Sequence, residues 1–404
     1  MSRFRKLSLN SYAWKSSSRI LQNQSGQREA LLWVQEVGGE EMARVLVTGA
    51  TGFIGQHLVQ HLVKFNHDVV CLVRDDWKKS RFQSNEIRWV VGDVTDLVSL
   101  KRAIKKCDLV MNLAGVTKSL SRRELFAVNG KGVANVARVC ADRTTPPTLI
   151  HVSSISASGT QPGLRVVNAN PVDRPVSNYG SSKLAGELAL RRYAGRAPIS
   201  ILRPTIVFGE GDRDVWPIFQ SIHHCGWAFL STFARHHFSF IHAADLSQAI
   251  RLVAFRGERL GGSNAAGTYY AADPEAVSFE QFAHAVGKCL DRNRTRILAT
   301  PRLFTYLLGG LCSLGSQFTK KPFVMSYDKA REANAGPWCC DASGLSALGF
   351  QPVPLQFRLQ QTVDWYRRQG WLPQETQPAE RTDQAPAEEL VESVASIGKR
   401  ASSW

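Results

Sequence analysis

Two residues suited to proton transfer, Tyr179 and Lys183, stand four positions apart at the start of a predicted helix. Residues at i and i+4 share one helical face, so the phenol and the ammonium group point to the same side. A phenol of pKa about 10 is a poor acid–base group at neutral pH, and a fixed positive charge beside it lowers that pKa. Such a pair can give a proton to a carbonyl oxygen or take one from an alcohol. Because Tyr-x-x-x-Lys is a weak signal alone, the alternative is an ordinary pair of surface side chains.

A pair of serines, Ser153 and Ser154, follows a short apolar run that predicts a buried strand. The carboxyl ends of parallel strands form the edge at which open α/β sheets bind ligands. A hydroxyl at this edge can hold a substrate oxygen. Serines also follow strands without any function, and Ser156 and Ser158 lie in the same loop.

A third feature precedes both of these, a turn with glycines at a spacing of three: Gly49, Gly52 and Gly55. It lies between an apolar run at 45–47 and a stretch with helical periodicity. A strand, a glycine-rich turn and a helix are typical of a dinucleotide site, in which backbone N–H groups approach the pyrophosphate at the positive end of the helix. The alternative is a plain turn of an α/β protein.

The elements that must position these features alternate between strands and helices, which predicts βαβ units and a parallel sheet. We expect an α/β fold with a Rossmann-type doubly wound parallel sheet and a smaller C-terminal α/β substrate-binding portion. The predicted strands of the first part are 45–47, 69–73, 87–91, 109–113, 149–152 and 199–202, and the helices include 97–105, 125–140 and 179–193. A run at 238–241 predicts a strand that returns to this sheet, followed by a helix at 244–253.

The expected division of the chain follows from these patterns. Residues 43–207, completed by 238–255, form the dinucleotide-binding domain, and 208–237 with 256–372 form the substrate-binding portion. Residues 1–42 are a leader outside the fold, and 373–404 are a polar tail that we expect to be disordered. The leader is either a start read too early, with Met42 as the true start, or a targeting-like segment; we favour the first.

Charge and cysteine usage exclude several classes of function. The formal net charge is +16, but no single basic stripe carries it, so we expect no nucleic-acid partner. The eight cysteines form no C-x-x-C pair and no cluster with zinc spacing, which indicates no metal site and a reduced, cytoplasmic compartment. The basic, acid-free N-terminus leaves organelle import as the alternative. The most apolar stretch, 303–314, is too short to cross a membrane and predicts a buried or surface-seated helix.

Taken together, these motifs resemble the extended branch of the short-chain dehydrogenase/reductase superfamily, over about residues 43–372. The pattern is most similar to the dihydroflavonol reductase and 3β-hydroxysteroid dehydrogenase type. The segments that carry the resemblance are Gly49–Gly55, Gly92–Val94, Asn112–Gly115, Tyr179–Lys183 with Glu187 beyond it, Leu202–Gly209, Phe240–Asp245 and Trp365–Tyr366.

The resemblance implies a role for each matching residue. Tyr179 is the acid–base residue, and Lys183 is its partner. Ser154 is the catalytic serine, with Ser153 as the fallback. Asn129 helps to position the lysine, although it could be structural. The resemblance also implies a small-molecule substrate and a homodimer packed through the Tyr179 helix.

The cofactor contacts implied by the resemblance are Gly49, Thr51, Gly52, Phe53, Ile54, Gly55, Arg74, Asp93, Val94, Leu113, Ala114, Gly115, Tyr179, Lys183, Pro204, Thr205 and Ile206. Arg74 decides between the two nicotinamide dinucleotides, since it stands at the end of the second predicted strand. An arginine there can pair with the 2′-phosphate of NADP, whereas NAD enzymes carry an acid that binds the ribose. We expect NADP; Asp75, one residue on, would favour NAD if the strand ended there.

The predicted return strand helps to choose the substrate class. Nucleotide-sugar epimerases often carry an arginine where this chain has Phe238, and Arg235 stands three residues too early to replace it directly. Aromatic residues nearby would line an apolar pocket or belong to the core: Trp216, Phe219, Trp227, Phe229 and Phe233. We therefore expect an NADP-dependent reductase or dehydrogenase of a fairly apolar ketone or alcohol. The alternatives are a nucleotide-sugar epimerase or dehydratase, and a cofactor-binding sensor or assembly subunit without catalysis.

Overall fold

A computed structural model describes residues 41–74, 87–160, 173–231, 237–261, 266–292, 294–319 and 326–373. Nearly all of the predicted leader and tail lie outside the described residues. The same holds for three side chains weighed above: Asp75, Phe233 and Arg235.

The strands of the described residues are, in chain order, β1 (Arg44–Thr48), β2 (Asp68–Val73), β3 (Ile87–Val91), β4 (Leu109–Asn112), β5 (Thr148–Val152), β6 (Ile199–Pro204), β7 (Ile206–Phe208), β8 (Trp227–Ser231), β9 (His237–Phe238), β10 (Phe240–His242), β11 (Thr268–Ala271), β12 (Val277–Ser278) and β13 (Arg296–Thr300). The helices are α1 (Phe53–Lys64), α2 (Leu97–Ile104), α3 (Arg122–Phe126), α4 (Val133–Ala141), α5 (Asn178–Arg191), α6 (Trp216–Cys225), α7 (Ala243–Arg256), α8 (Phe279–Cys289), α9 (Arg302–Thr319), α10 (Tyr327–Ala333), α11 (Ser343–Ser346) and α12 (Leu355–Arg368). A π-helix (Ala127–Gly132) joins α3 to α4, and a 3₁₀ turn (Ile155–Ala157) follows β5.

The central element is a seven-stranded sheet in the order β11-β6-β5-β4-β1-β2-β3. Every pairing within it is parallel. The chain winds outward in one direction from β1 to β3 and in the other from β4 to β11. The strand ends therefore diverge between β1 and β4, which is where doubly wound sheets bind dinucleotides. The predicted Rossmann-type fold is confirmed.

Successive side chains of each strand point to opposite faces of the sheet, and their burial against helices on both sides builds the three layers of this fold. Val45 and Val47 are fully buried on one face, in a cluster with Leu58 of α1 and with α7. Leu46, between them, is fully buried on the other face with Val136 of α4 and with α2. Each such side chain stabilises the fold by about 1.5–3 kcal/mol through burial. A sheet buried on both faces leaves only its edges and strand ends for binding.

The predicted return of 238–241 to the main sheet is wrong. The seventh strand is β11, whereas β10 pairs in parallel with β7 and β9 pairs antiparallel with β12, in two small sheets. The reason lies after β6, where the chain changes partner. The Thr205 N–H still donates to Ala271 of β11 at 3.0 Å, and the Ile206 N–H donates to Ser239 at 3.4 Å.

Two of the aromatic residues considered for a pocket belong to the core. Phe219 is fully buried in a third apolar cluster, built by α6, α8 and α12. The Trp216 ring contacts the rings of Tyr366 and Trp371 at centroid distances of 4.6 and 5.3 Å. These rings fill the space between α6 and α12, so they cannot line a substrate pocket. The boundaries proposed for the substrate-binding portion stay a prediction.

Candidate active site

The glycine turn after β1 is shaped for close backbone approach. Gly49 adopts a φ of +70°, and a Cβ there would lie 2.8 Å from the backbone nitrogen of Ala114. A Cβ at Gly55 would lie 2.2 Å from the carbonyl oxygen of Gly49. Gly52 is the N-cap of α1, and no side chain among the described residues caps this helix start. The first N–H groups of α1 thus lack a side-chain partner among the described residues, and N–H groups of this kind stabilise a pyrophosphate. The turn fits a dinucleotide.

A buried polar chain fixes the strand ends beside this turn. The Thr48 hydroxyl donates to the Asn112 side chain and accepts from the Ala114 N–H at 3.1 Å. The Asn112 amide in turn contacts His151 Nδ1 at 3.1 Å. These bonds tie the carboxyl ends of β1, β4 and β5 together. They hold the loop that carries Leu113, Ala114 and Gly115 against the glycine turn.

Tyr179 lies in the first turn of α5, opposite the end of β5. Burial raises the pKa of Tyr179 to about 12. The ammonium of Lys329 and the nearby hydroxyl of Ser154 both oppose that increase. Ser154 also accepts from the Ser156 N–H at 3.1 Å, which orients its hydroxyl at the start of the 3₁₀ turn. The structure therefore brings the predicted serine and tyrosine together.

Lys183 is buried one turn further along α5. Its ammonium donates to the Val152 carbonyl at 2.8 Å, at the last residue of β5. A Cβ placed at Gly115 would lie 3.6 Å from the lysine nitrogen, so Gly115 and the ammonium group are immediate neighbours. Burial lowers the pKa of Lys183 to about 8. The lysine thus stands between α5 and the loop 113–115 that follows β4 (the β4 loop), with its charge near the predicted cofactor positions.

Asn129 sits in the π-helix rather than in the regular helix that the sequence predicts over 125–140. Its amide donates to the Val116 carbonyl and to the Ser182 hydroxyl, both at 2.9 Å, and its oxygen accepts from the Val116 N–H at 2.9 Å. Wide turns of this kind are frequent at functional sites because they aim a side chain out of register. Asn129 joins the β4 loop to α5 beside Lys183.

Ser153, the fallback, faces away from Tyr179. Its hydroxyl donates to the buried carboxylate of Glu187, which forms an ion pair with Arg203. Arg203 also pairs with Asp173 at 2.8 Å. Buried charges are stable only when fully paired, so this network secures β6 against α5. The geometry favours Ser154 over Ser153 as the serine at the tyrosine.

The other predicted cofactor residues lie along the same edge of the sheet. Arg74 follows β2 directly and is exposed. Asp93 follows β3, and its carboxylate accepts from the Thr95 N–H at 2.7 Å. The remaining positions are Val94 behind Asp93, Thr51, Phe53 and Ile54 at the start of α1, and Pro204, Thr205 and Ile206 where β6 passes into β7.

A cavity of about 270 Å³ opens beside Tyr179. Its lining is more polar than the sequence suggests: Thr117, Lys118, Ser119, Leu120, Arg122, Leu125, Asn178, Tyr179, Ser326, Asp328, Lys329 and Glu332. None of the aromatic residues predicted to line a pocket and described by the structure is among them. Trp227 and Phe229 lie on β8 instead.

Two residues of the cavity wall were missed by sequence reasoning. The Asp328 carboxylate accepts from the backbone N–H groups of Asn178 and Tyr179 at 2.8 and 3.1 Å. The Lys329 ammonium lies 5.7 Å from the centre of the Tyr179 ring and 2.8 Å from the Glu332 carboxylate. They stand about 150 residues beyond the tyrosine, and no motif marks them.

Comparison with known proteins agrees with this geometry. The sequence profile of the NAD dependent epimerase/dehydratase family matches residues 45–264. A ceramide reductase of Caulobacter vibrioides is 30% identical over 335 residues, which cover 81% of this chain and 96% of that protein. A decarboxylating sterol-4-alpha-carboxylate 3-dehydrogenase of Dictyostelium discoideum is 23% identical, covering 72% of this chain and 94% of that one.

Solved structures share the fold. Thermus thermophilus UDP-glucose 4-epimerase, in complex with NAD, superposes with a TM-score of 0.62 at 21% identity, covering 80% of this chain and 99% of the epimerase. The profile match, the ceramide reductase and the common fold lead to one conclusion. The chain belongs to the NAD dependent epimerase/dehydratase family and is an enzyme of the extended short-chain dehydrogenase/reductase type.

Proposed function

We propose that this enzyme is an NADP-dependent oxidoreductase that interconverts a ketone and a secondary alcohol on a lipid-class substrate. The proximity of the Ser154 hydroxyl to the phenol of Tyr179, a residue of the cavity wall, is the observation that carries this proposal. It places a proton donor and an oxygen-binding hydroxyl side by side at the edge of the sheet that holds the glycine turn.

The proton chemistry follows from the two shifted groups. A pKa of about 12 keeps the Tyr179 phenol protonated at neutral pH, so it can donate to a carbonyl oxygen held by Ser154. The Lys329 ammonium, 5.7 Å from the centre of the Tyr179 ring, lowers the pKa of the phenol and so favours its phenolate form. A pKa of about 8 keeps most of Lys183 cationic at pH 7, beside the predicted cofactor positions. A bound nicotinamide supplies or accepts the hydride at the substrate carbon.

Arg74 supports NADP over NAD. Its exposed guanidinium directly follows β2, at the position where NAD enzymes of this fold carry an acid. A guanidinium binds a phosphate through two parallel, charge-assisted hydrogen bonds. It cannot form such a pair of bonds with the uncharged 2′-hydroxyl of the NAD ribose. The 2′-phosphate of NADP is therefore the group that we assign to Arg74.

The lipid class rests on the relatives and on the cavity. The ceramide reductase covers nearly the whole described fold at 30% identity, and its name points to an amphiphilic lipid. Phe238, in place of the epimerase arginine, packs in an apolar cluster with Trp338 and Ile155. The polar wall of the cavity, including Lys118 and Asp328, suits the head of such a lipid around the reacting carbon.

The experiment compares cofactors first and substrates second. Fluorescence titration of the full chain should give tighter binding of NADPH than of NADH. Arg74→Ala should weaken NADPH binding by about tenfold or more and leave NADH unchanged, whereas Arg138→Ala, which removes an exposed arginine on α4, should change neither. NADPH consumption should then be detected with 3-oxoceramide or a 3-oxosterol. Tighter NADH binding, together with saturable binding of UDP-sugars, would overturn this proposal and favour the nucleotide-sugar alternative.

A further inference from the structure

Helix α9 has its large apolar side chains on the outside. Leu303, Leu311 and Phe318 are 70%, 67% and 89% exposed. The other large apolar residues exposed on this helix are Phe304, Leu307, Leu308 and Leu314. They recur at intervals of three and four, so they form one continuous face. We call these seven residues the outer face of α9.

The opposite face of α9 is small and polar, and the protein covers it. Thr305 and Ser316 are 5% and 3% exposed. A Cβ at Gly309 would lie 2.9 Å from the Ala330 side chain, so α9 and α10 touch there almost backbone to backbone. The Ser313 hydroxyl accepts from the Tyr327 N–H at 2.9 Å. The fold thus buries the glycine and hydroxyl side of α9 and leaves its leucines exposed, the reverse of an ordinary surface helix.

An exposed apolar face of this size indicates a partner. Single exposed apolar side chains are normal, but seven large ones on one face are typical of an interaction site. The strands before α9 add further exposed apolar side chains, Leu298 on β13 and Phe229 on β8, and these two residues are paired in register. The apolar surface therefore continues from α9 to its preceding strand pair.

The charge around α9 identifies the partner. From residue 292 to 321 the chain contains six basic residues and no acidic one: Arg292, Arg294, Arg296 and Arg302, which are exposed, and Lys320 and Lys321, which follow α9 in the sequence and lie outside the described residues. Basic residues that flank an apolar helix face match an anionic lipid surface, where the leucines enter the acyl boundary and the cations meet the headgroups. No helix among the described residues is long and apolar enough to cross a membrane. A helix of this kind lies in the plane of the interface.

We propose that the outer face of α9 docks this enzyme on the surface of an anionic lipid bilayer. The docked helix packs on α10, which supplies Asp328 and Lys329 to the cavity beside Tyr179. Docking therefore brings the mouth of the active site close to the membrane. The inference rests on α9 and its charges, not on the reaction, so it stands or falls separately from the proposed function.

The test is flotation of the purified full chain with vesicles of phosphatidylcholine containing phosphatidylglycerol, and with phosphatidylcholine alone. We expect binding to the anionic vesicles that weakens with salt, and little binding to the neutral ones. Leu307→Glu with Leu311→Glu should reduce the partition coefficient by about tenfold or more. The matched control is Val98→Glu with Phe357→Glu, which changes two exposed apolar residues on α2 and α12 and should bind like the unaltered chain.

Thermal unfolding and light scattering complete the test. Both double variants should keep the melting temperature within a few degrees, because all four side chains are exposed. The proposal is overturned if the unaltered chain does not float with anionic vesicles, or if the α9 variant floats as well as the control. It is also overturned if the α9 substitutions convert a stable dimer to a monomer without any vesicle binding, since a second copy would then cover this face.

Discussion

The carboxylate of Asp328 accepts a hydrogen bond from the backbone N–H of Tyr179 at 3.1 Å, and one from Asn178 at 2.8 Å. Both N–H groups belong to the first turn of α5, where a helix has no internal partners for them. A carboxylate at the N-terminus of a helix also interacts favourably with the positive end of the helix dipole. The position of Tyr179 thus depends on a residue of α10 that also lines the cavity.

Asp328→Ala should therefore lower kcat strongly while it lowers the free energy of unfolding only slightly. Loss of the cap costs about 1 kcal/mol of unfolding free energy, while a displaced Tyr179 lowers kcat by about tenfold or more. The matched control is Asp341→Ala, which removes one carboxylate bond, to the Ser343 N–H at 2.8 Å, away from the cavity. Steady-state kinetics and thermal unfolding measure both effects. An unchanged kcat in Asp328→Ala would show that the cap does not position the tyrosine.

The pH dependence of the rate of alcohol oxidation should reveal the effect of Ser154 on the pKa of Tyr179. Oxidation requires the phenolate, so its rate rises with pH toward the pKa of Tyr179, about 12 by burial before cofactor binds. The interaction with the Ser154 hydroxyl lowers that pKa, so Ser154→Ala should move the rising part of the pH profile to higher pH. Each unit of displacement costs about tenfold in rate on that part of the profile.

Ser154→Thr keeps the hydroxyl and serves as the control for this shift. The rising part of its profile should stay near that of the unaltered enzyme, even if its maximal rate falls through crowding. If the rate of Ser154→Ala rises over the same pH range as that of the unaltered enzyme and only its maximal rate is lower, Ser154 does not lower the pKa of Tyr179.

Gly55→Ala tests the cofactor cradle. The added Cβ would lie 2.2 Å from the Gly49 carbonyl, so the turn or α1 must move. We expect NADPH affinity to fall by about tenfold or more and the melting temperature to drop, as for other overpacked sites. Gly195→Ala is the control, because a Cβ there meets no atom within 4 Å. Unchanged NADPH binding in Gly55→Ala would place the dinucleotide elsewhere.

The parts of the site that short segments of the chain encode could be predicted from the sequence. The turn at Gly49, Gly52 and Gly55 depends on local backbone sterics, and the Tyr179–Lys183 face depends only on helical spacing. The carboxyl ends of parallel strands meet at one edge, so the sheet brought Ser154 to the tyrosine as expected.

The parts that depend on distant packing could not be predicted. Asp328 follows Tyr179 by 149 residues in the sequence, and no residue near Asp328 in the sequence indicates its contact with α5. The run at 238–241 has the pattern of a strand, but its partner is decided by the change of pairing at Thr205. The leucines of α9 resemble core residues by composition, and only the tertiary structure shows that the side with Gly309, Thr305 and Ser316 faces the protein.

The most direct test of the proposed chemistry is Tyr179→Phe, assayed for NADPH consumption with 3-oxoceramide and for NADPH binding by fluorescence titration. The variant loses the proton donor but keeps the ring, the helix cap and the glycine turn. Turnover should fall by about 10²–10⁴-fold, while the dissociation constant of NADPH changes by less than about threefold. Turnover close to that of the unaltered enzyme, with intact cofactor binding, would contradict proton transfer by Tyr179.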